Sequence, residues 1–335
     1  CKECQPEGNE ASPGEKGKDE IVKCPKECAN MSPIIALTGE FTDANKDLSL
    51  YKNTSINRTY TSNGFYSGPF GPKWYTNLTM QVIEVVRDGQ ETAILRISGG
   101  TKFRFVRQID GTYESPIKSK HLKMVKLPSG LMQFTDNGGN TYNFNEQGYT
   151  DTVVDSNGNS VQYNYDVNTG RVASIVSSTG QQFNFQYGDN LLVSSISDSS
   201  GREVKYEYDD DRNLVVFTDP EEFTIGYELD DSGKIVRVRD HLNRTLKSVE
   251  YDSETSCVSS CFYDGQNWTY KHDIFDLRVT ASDSLGRSKT LTYTISGNGA
   301  VKTDRMGNTV ITKQCSSCSG PKYYIDELGN RTDYE

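Results

Sequence analysis

The sequence predicts an all-β fold: a spiral antiparallel β-sheet of stacked hairpins, repeating about every 21 residues and preceded by a small β-rich entry domain. Three observations carry that prediction. Apolar residues make up 34% of the 335 residues. That is well below the ~45–50% usual for a soluble globular domain, a figure that also counts glycine, so a thin wall of sheet fits better than one thick core. The aromatic residues are 20 Tyr and 13 Phe against 2 Trp. Tyrosine buries a ring yet keeps a hydroxyl for water or a neighbour, which suits a half-buried strand. The third observation is an internal repeat.

From about residue 126 the pattern D-x-x-G-[N/R] recurs. It stands at Asp136-Gly139-Asn140, Asp155-Gly158-Asn159 and Asp198-Gly201-Arg202, and again at Asp283-Gly286-Arg287, Asp304-Gly307-Asn308 and Asp326-Gly329-Asn330. Degenerate copies at Ser177-Gly180, Asp219-Glu222, Asp240-Asn243 and Phe262-Gly265 fill the gaps, and successive anchors lie 19 to 22 residues apart. A period this steady marks a repeat architecture. The Asp side chain can bond backbone two residues on, and Gly at the fourth position can take positive φ, so each pattern predicts a tight turn. Aromatics follow: Tyr163/Tyr165, Phe183/Phe185/Tyr187, Tyr206/Tyr208, Tyr227, Tyr270 and Tyr293. Spacing by two puts them on one face of a strand. Tyr165-Asp166 and Tyr208-Asp209 then open a second turn. Each copy is therefore a hairpin, and residues 126–335 form the repeat domain.

Two segments precede it. Residues 1–32 are a polar, cysteine-containing leader whose centre has almost nothing to bury and is expected to be disordered alone. Residues 33–125 are the entry domain, with strands expected at Leu48–Tyr51, Met80–Val86 and Ala93–Ile97. Between them, Ser67-Gly68-Pro69-Phe70-Gly71-Pro72-Lys73-Trp74 forces a turn over which Phe70 and Trp74 are expected to pack.

Net charge is −10 without a basic stripe, which argues against a nucleic-acid partner. No apolar run reaches the 18 or more residues of a membrane span. No signal peptide is in view, consistent with a mature form or an internal fragment. The eight cysteines sit in local pairs, Cys1/Cys4, Cys24/Cys28, Cys257/Cys261 and Cys315/Cys318, and an even count points to disulfides in an oxidising, extracellular compartment. A local bridge stabilises by about 2 kcal/mol and one joining the chain's two ends by about 5–6 kcal/mol. Zinc held by Cys1, Cys4, Cys315 and Cys318 is the lesser alternative. No βαβ pattern surrounds either C-x-x-C, so redox catalysis is not expected. N-x-S/T triplets at Asn30, Asn53, Asn57, Asn77, Asn243, Asn267 and Asn330 are candidate glycosylation acceptors. The histidines His121, His241 and His272 are scattered, the turn aspartates are too sparse for a calcium β-repeat, and no residue is assigned a catalytic or cofactor-binding role.

The Tyr-Asp…Gly-Arg/Asn tract with its 21-residue period resembles the YD repeat of Rhs proteins, teneurins and the shell components of Tc toxins. The Gly68–Trp74 segment is similar to the entry segment that precedes the repeats in bacterial Rhs proteins. The resemblance covers roughly residues 33–335. It implies a YD-repeat spiral sheet, which in that family closes as a hollow shell around a C-terminal toxin. The chain departs from the full pattern: it has about ten repeats, no self-cleavage segment and no toxin domain, and it stops inside a repeat. The expectation is therefore a non-enzymatic, secreted structural protein. Its open scaffold is expected to assemble with copies of itself, head to tail through sheet edges, into an extracellular fibre or tube. The alternatives are an N-terminal fragment of a toxin-encapsulating shell and a surface module that binds glycans through its aromatic residues.

Overall fold

The computed structural model describes residues 30–31, 34–35, 38–49, 54–87, 89–97, 102–115, 122–273, 278–293, 299–303, 309–314, 321–326 and 328–333. Outside them lie Cys1, Cys4, Cys24, Cys28, Cys315 and Cys318, the sequon Asn53, the histidine His121 and the repeat turn Asp304/Gly307. Among the described residues every regular element is a strand. They form two compact units, Ala44–Tyr227 and Cys1–Asp43 with Glu228–Glu335.

In the first unit the repeat sheet begins within the entry domain. Gln81–Arg87 and Gln90–Arg96 form a hairpin, and Lys102–Arg107, Tyr113–Glu114 and Lys123–Lys126 add on, each antiparallel to its predecessor. Met132–Thr135 pairs with Lys123–Lys126, so the sheet runs unbroken into the repeats. It then curls. A bulge at Asn143/Phe144 breaks register, which sharpens strand twist, and the following turn reaches back to the first strand. The Val82 N–H donates to the Gly148 carbonyl at 2.8 Å, and the Thr150 hydroxyl to the Met80 carbonyl at 3.0 Å. Inside this closed stretch pack Val82, Leu95, Phe105, Met124, Phe134 and Phe144. An edge expected to be open is thus covered at Gln81 and Val82 by the chain itself. Gly148 makes the closure possible: its φ is +78°, and a Cβ there would sit 2.1 Å from the Val82 carbonyl oxygen.

The repeats are hairpins, as the period predicts, and among the described residues most of their turns are bracketed by one carboxylate. At Asp136 one side-chain oxygen accepts from the N–H groups of Gly138 and Asn140, and the other from the Asn140 side-chain amide. The same bracket stands at Asp155/Asn159, Asp198/Arg202, Asp240/Arg244, Asp283/Arg287 and Asp326/Asn330, with side-chain donor distances of 2.6–2.8 Å. The fifth position of the pattern, Asn or Arg, is therefore the second arm of the bracket. The guanidinium of Arg244 or Arg287 holds Asp240 or Asp283 below the usual carboxylate range, and the Asn330 amide does so for Asp326. Glu222 and Asn243 take the positive φ that glycine takes in other copies. The copy at Phe262–Gly265 departs from the four-residue turn. Tyr263 pairs directly with Gln266, and Asp264 and Gly265 both have positive φ, the geometry of a two-residue type I′ hairpin turn.

A second device closes the end of the hairpin away from its turn. The tyrosine ending a strand lies at a bulge, and its hydroxyl donates to the carbonyl of the first residue of an earlier strand. Tyr165 reaches Thr150, Tyr187 reaches Val172, Tyr208 reaches Val193 and Tyr251 reaches Ile235, at 2.5–2.8 Å. The next residue, Asp166, Asp209 or Asp252, brackets the following turn. Tyr and Asp are adjacent because one staples back to the strand before it while the other starts the next turn.

In the second unit, Ile34–Ile35 pairs with the start of Glu40–Ser49. Its Gly39 carbonyl accepts from the Val258 N–H at 2.8 Å, and buried Asp43 is paired with Lys247. Cys257 and Cys261 are both thiols. Four residues of extended chain put their Cα atoms about 13 Å apart, beyond the ~4.4–6.8 Å a disulfide spans, so the expected local pairing of these two is not made.

Candidate functional site

Within Ala44–Tyr227 the entry segment lies against the repeats. Ser55–Thr61 pairs with Trp74–Thr76, with Arg58 opposite Thr76 and Tyr60 opposite Trp74. Burial alternates along Ser55–Thr61, so Ile56, Arg58 and Tyr60 share the inner face. An arginine is thereby carried into an apolar interior, with none of its side-chain surface exposed.

The surroundings of Arg58 account for its burial. Its Nε donates to Asp47 at 2.6 Å and its Nη1 to the Tyr227 hydroxyl at 3.2 Å. The guanidinium lies 4.6 Å from the Phe217 ring centre and 4.7 Å from that of Trp74, with Tyr206 and Tyr227 at 5.5 and 5.9 Å. Tyr206 donates its hydroxyl to the same Asp47 oxygen at 2.7 Å. Burial first, then the Asp47 carboxylate, pushes the Tyr206 hydroxyl well above its usual ionisation range, so it stays a donor. Ion pair and ring faces together replace the water that both charges lost. Asp47 Oδ1 and Arg58 Nη2 are buried without a hydrogen-bond partner.

The turn segment completes the seat. The Pro69 carbonyl accepts from the Val193 N–H at 2.9 Å. Val193 opposes Tyr187 at a bulge, where the ladder is interrupted and that N–H is free to bond the entry segment. Phe70 is fully buried with its ring 4.8 Å from Tyr206, and Trp74 lies 5.3 Å from both Tyr60 and Tyr227. The two aromatics anchor on repeat and entry rings instead of capping their own turn. Gly71 has φ +87°, and a Cβ there would lie 2.4 Å from the Arg212 carbonyl oxygen. Arg202 adds a bond to the Ser49 carbonyl at 2.8 Å.

Other residues singled out in the sequence lie apart. His272 bonds the Val258 carbonyl at 2.9 Å, and the Cys261 thiol lies 3.5 Å from the Tyr270 hydroxyl. Among the described residues no group of three or more His, Cys, Asp or Glu gathers to hold a metal. The zinc candidates Cys1, Cys4, Cys315 and Cys318 lie outside those residues. Of the sequons, Asn243, Asn267 and Asn330 are exposed. Asn77 is engaged, donating to the Ser55 carbonyl and accepting from the Asn57 N–H. The backbone of Asn30 is placed in a short strand.

A hairpin-repeat sheet whose own entry segment is anchored on its face by a buried ion pair and aromatic rings defines a β-scaffold. Residues 31–105, which contain Asp47, Arg58 and the Gly68–Trp74 turn, match a domain of unknown function, DUF6531, found in Rhs and YD-repeat proteins. The matched stretch covers the entry segment and the first strands of the long sheet, and the hairpin repeats follow it. Among solved structures the chain is similar to the crystal structure of TcdB2-TccC3-TEV, with 10% identity and a TM-score of 0.29 over 89% of this chain and 23% of that one. It is also similar to the Photorhabdus luminescens Tc holotoxin pore carrying TccC3-D651A, with 11% identity and a TM-score of 0.26 over 88% of this chain and 22% of that one. The chain thus spans under a quarter of the length of these structures. No curated protein matches it.

Proposed function

We propose that the protein is a non-enzymatic structural wall, a YD-type β-scaffold of a toxin-encapsulating shell, braced by its own entry segment. One observation carries the reading: among the described residues, many of the groups that could do chemistry hold strands. Turn carboxylates bracket hairpins, tyrosine hydroxyls staple strands, His272 bonds backbone, and Asp47 with Arg58 anchors the entry segment. Electron microscopy of the longest natural polypeptide containing this sequence tests the proposal. A hollow particle with these repeats in its wall is the expected result. A compact globule without a cavity sinks it.

A second reading is secretion followed by head-to-tail assembly of copies through sheet edges into a fibre or tube. It is supported by the unbroken antiparallel pairing of successive strands, a ladder that a further chain can extend through backbone hydrogen bonds. Filaments in the same micrographs would favour it. Covalent linkage through the terminal cysteines would appear as higher bands on non-reducing gels only.

A further inference from the structure

The unit Ala44–Tyr227 contains a cavity of about 760 Å³ that neither the staples nor the arginine seat fills. Its size is that of a small-molecule site, and its lining has a consistent chemistry. Four cations border it, Arg96, Lys102, Arg171 and Arg212, and no carboxylate does. This is notable in a chain with 46 acidic and 36 basic residues. Among the described residues none of the four is in an ion pair. Arg171 bonds the backbone carbonyls of Leu191 and Thr169 and lies over the Tyr187 ring at 5.9 Å, and none of these partners carries a negative charge.

The rest of the lining is aromatic and hydroxylic. Tyr66 and Tyr75 are stacked at 5.1 Å, Tyr149 and Tyr165 lie 5.9 Å apart, and the Tyr187 ring carries the Arg171 guanidinium at 5.9 Å. Phe65 is fully exposed at the rim, a costly place for a phenyl ring with nothing to cover it. Ser67, Thr79 and Thr169 add hydroxyls.

This combination selects among ligands. A small inorganic anion makes no use of the rings, and a neutral sugar makes no use of four cations. One stacked base would occupy a single ring, whereas the rings here are spread along the cavity. The chain's negative charge also opposes a longer nucleic acid. A linear saccharide with acidic units uses all three features. Its apolar ring faces lie on tyrosines, its hydroxyls meet serine and threonine, and its carboxylates meet arginine and lysine.

We propose that this cavity is a binding site for an acidic oligosaccharide, a uronate-containing chain. The inference is independent of whether the scaffold closes as a shell or extends as a fibre. Isothermal titration of the whole protein with a hyaluronan oligosaccharide tests it, with a neutral chitin oligosaccharide, an oligoglutamate peptide and an oligothymidylate of matching length as comparators. The expected result is saturable binding of hyaluronan alone, weakened by added salt. It should be weakened about fivefold or more by Arg96→Gln, by Lys102→Gln and by Phe65→Ala. These three side chains are exposed or half-exposed, and circular dichroism checks that each variant folds. No hyaluronan binding, affinity unchanged in the variants, or equal binding of the glutamate or thymidylate chains overturns the proposal.

Discussion

The hydroxyl of Tyr187 donates to the carbonyl of Val172 at 2.8 Å, fifteen residues back along the chain. The bond joins the end of Gln182–Tyr187 to the start of Val172–Ser177, the strand it pairs with directly, at the end of the hairpin away from its turn. Tyr187→Phe keeps the ring and deletes the donor, leaving a largely buried carbonyl unpaired. The expected loss is about 1–2 kcal/mol, read as a lower urea midpoint with an unchanged slope. An unaltered midpoint would mean that water replaces the hydroxyl at no cost.

The same tyrosines set an alkaline limit. Burial pushes the hydroxyl of the staple Tyr187 up to about 12, and that of Tyr163, a ring outside the staples, also to about 12. An unfolded tyrosine ionises near 10, so above that pH the unfolded chain loses protons that the folded chain keeps. Stability from these groups is complete below about pH 10 and falls as pH rises toward about 12. Absorbance of tyrosinate should therefore rise in two stages: exposed residues near the ordinary value, then the staples together with loss of strand signal. A single titration near 10 with the fold intact would contradict the buried staple.

The closure of the sheet turns on Gly148. Gly148 and Gly158 both have positive φ, but a Cβ meets the Val82 carbonyl at 2.1 Å in the first and nothing within 4 Å in the second. Gly158→Ala should cost about 1 kcal/mol, the conformational penalty alone. Gly148→Ala should cost clearly more, because backbone must move and the Val82 to Gly148 hydrogen bond is put at risk. Thermal melts of the two variants side by side give the comparison, and equal losses would remove the steric argument.

These devices differ in how legible they are in the sequence. Asp136 and Gly139 announce a turn because their chemistry is local, and regular spacing multiplies the signal. The role of Asn140 or Arg202 at the fifth position is equally local and could have been read from the pattern. The staple is harder. The Tyr187 partner lies fifteen residues away, and only strand register brings the two together. Phe262–Gly265 misleads because its Gly falls on the period while the turn it makes is shorter. Arg58 was missed for another reason. In Ser55-Ile56-Asn57-Arg58-Thr59-Tyr60 a lone arginine reads as solvent-facing, although its even spacing with Ile56 and Tyr60 places it on their face. Nothing local marks Asp47 as its partner.

That pair offers the sharpest test of the entry segment. Arg58 and Asp47 are both buried and hydrogen-bonded at 2.6 Å. Removing one member leaves the other charge without compensation, so Arg58→Ala should destabilise by about 3–5 kcal/mol. Replacing both by apolar residues of similar volume, Asp47→Leu with Arg58→Met, should recover much of that loss, because two unfavourable desolvations disappear together. The recovery cannot be complete: Tyr206 loses its acceptor and Phe217 its cation. The double-mutant cycle from urea unfolding separates coupling from packing. If the double variant is no more stable than Arg58→Ala, the ion pair is not what seats the entry segment, and the anchor must be Phe70 and Trp74 on their rings.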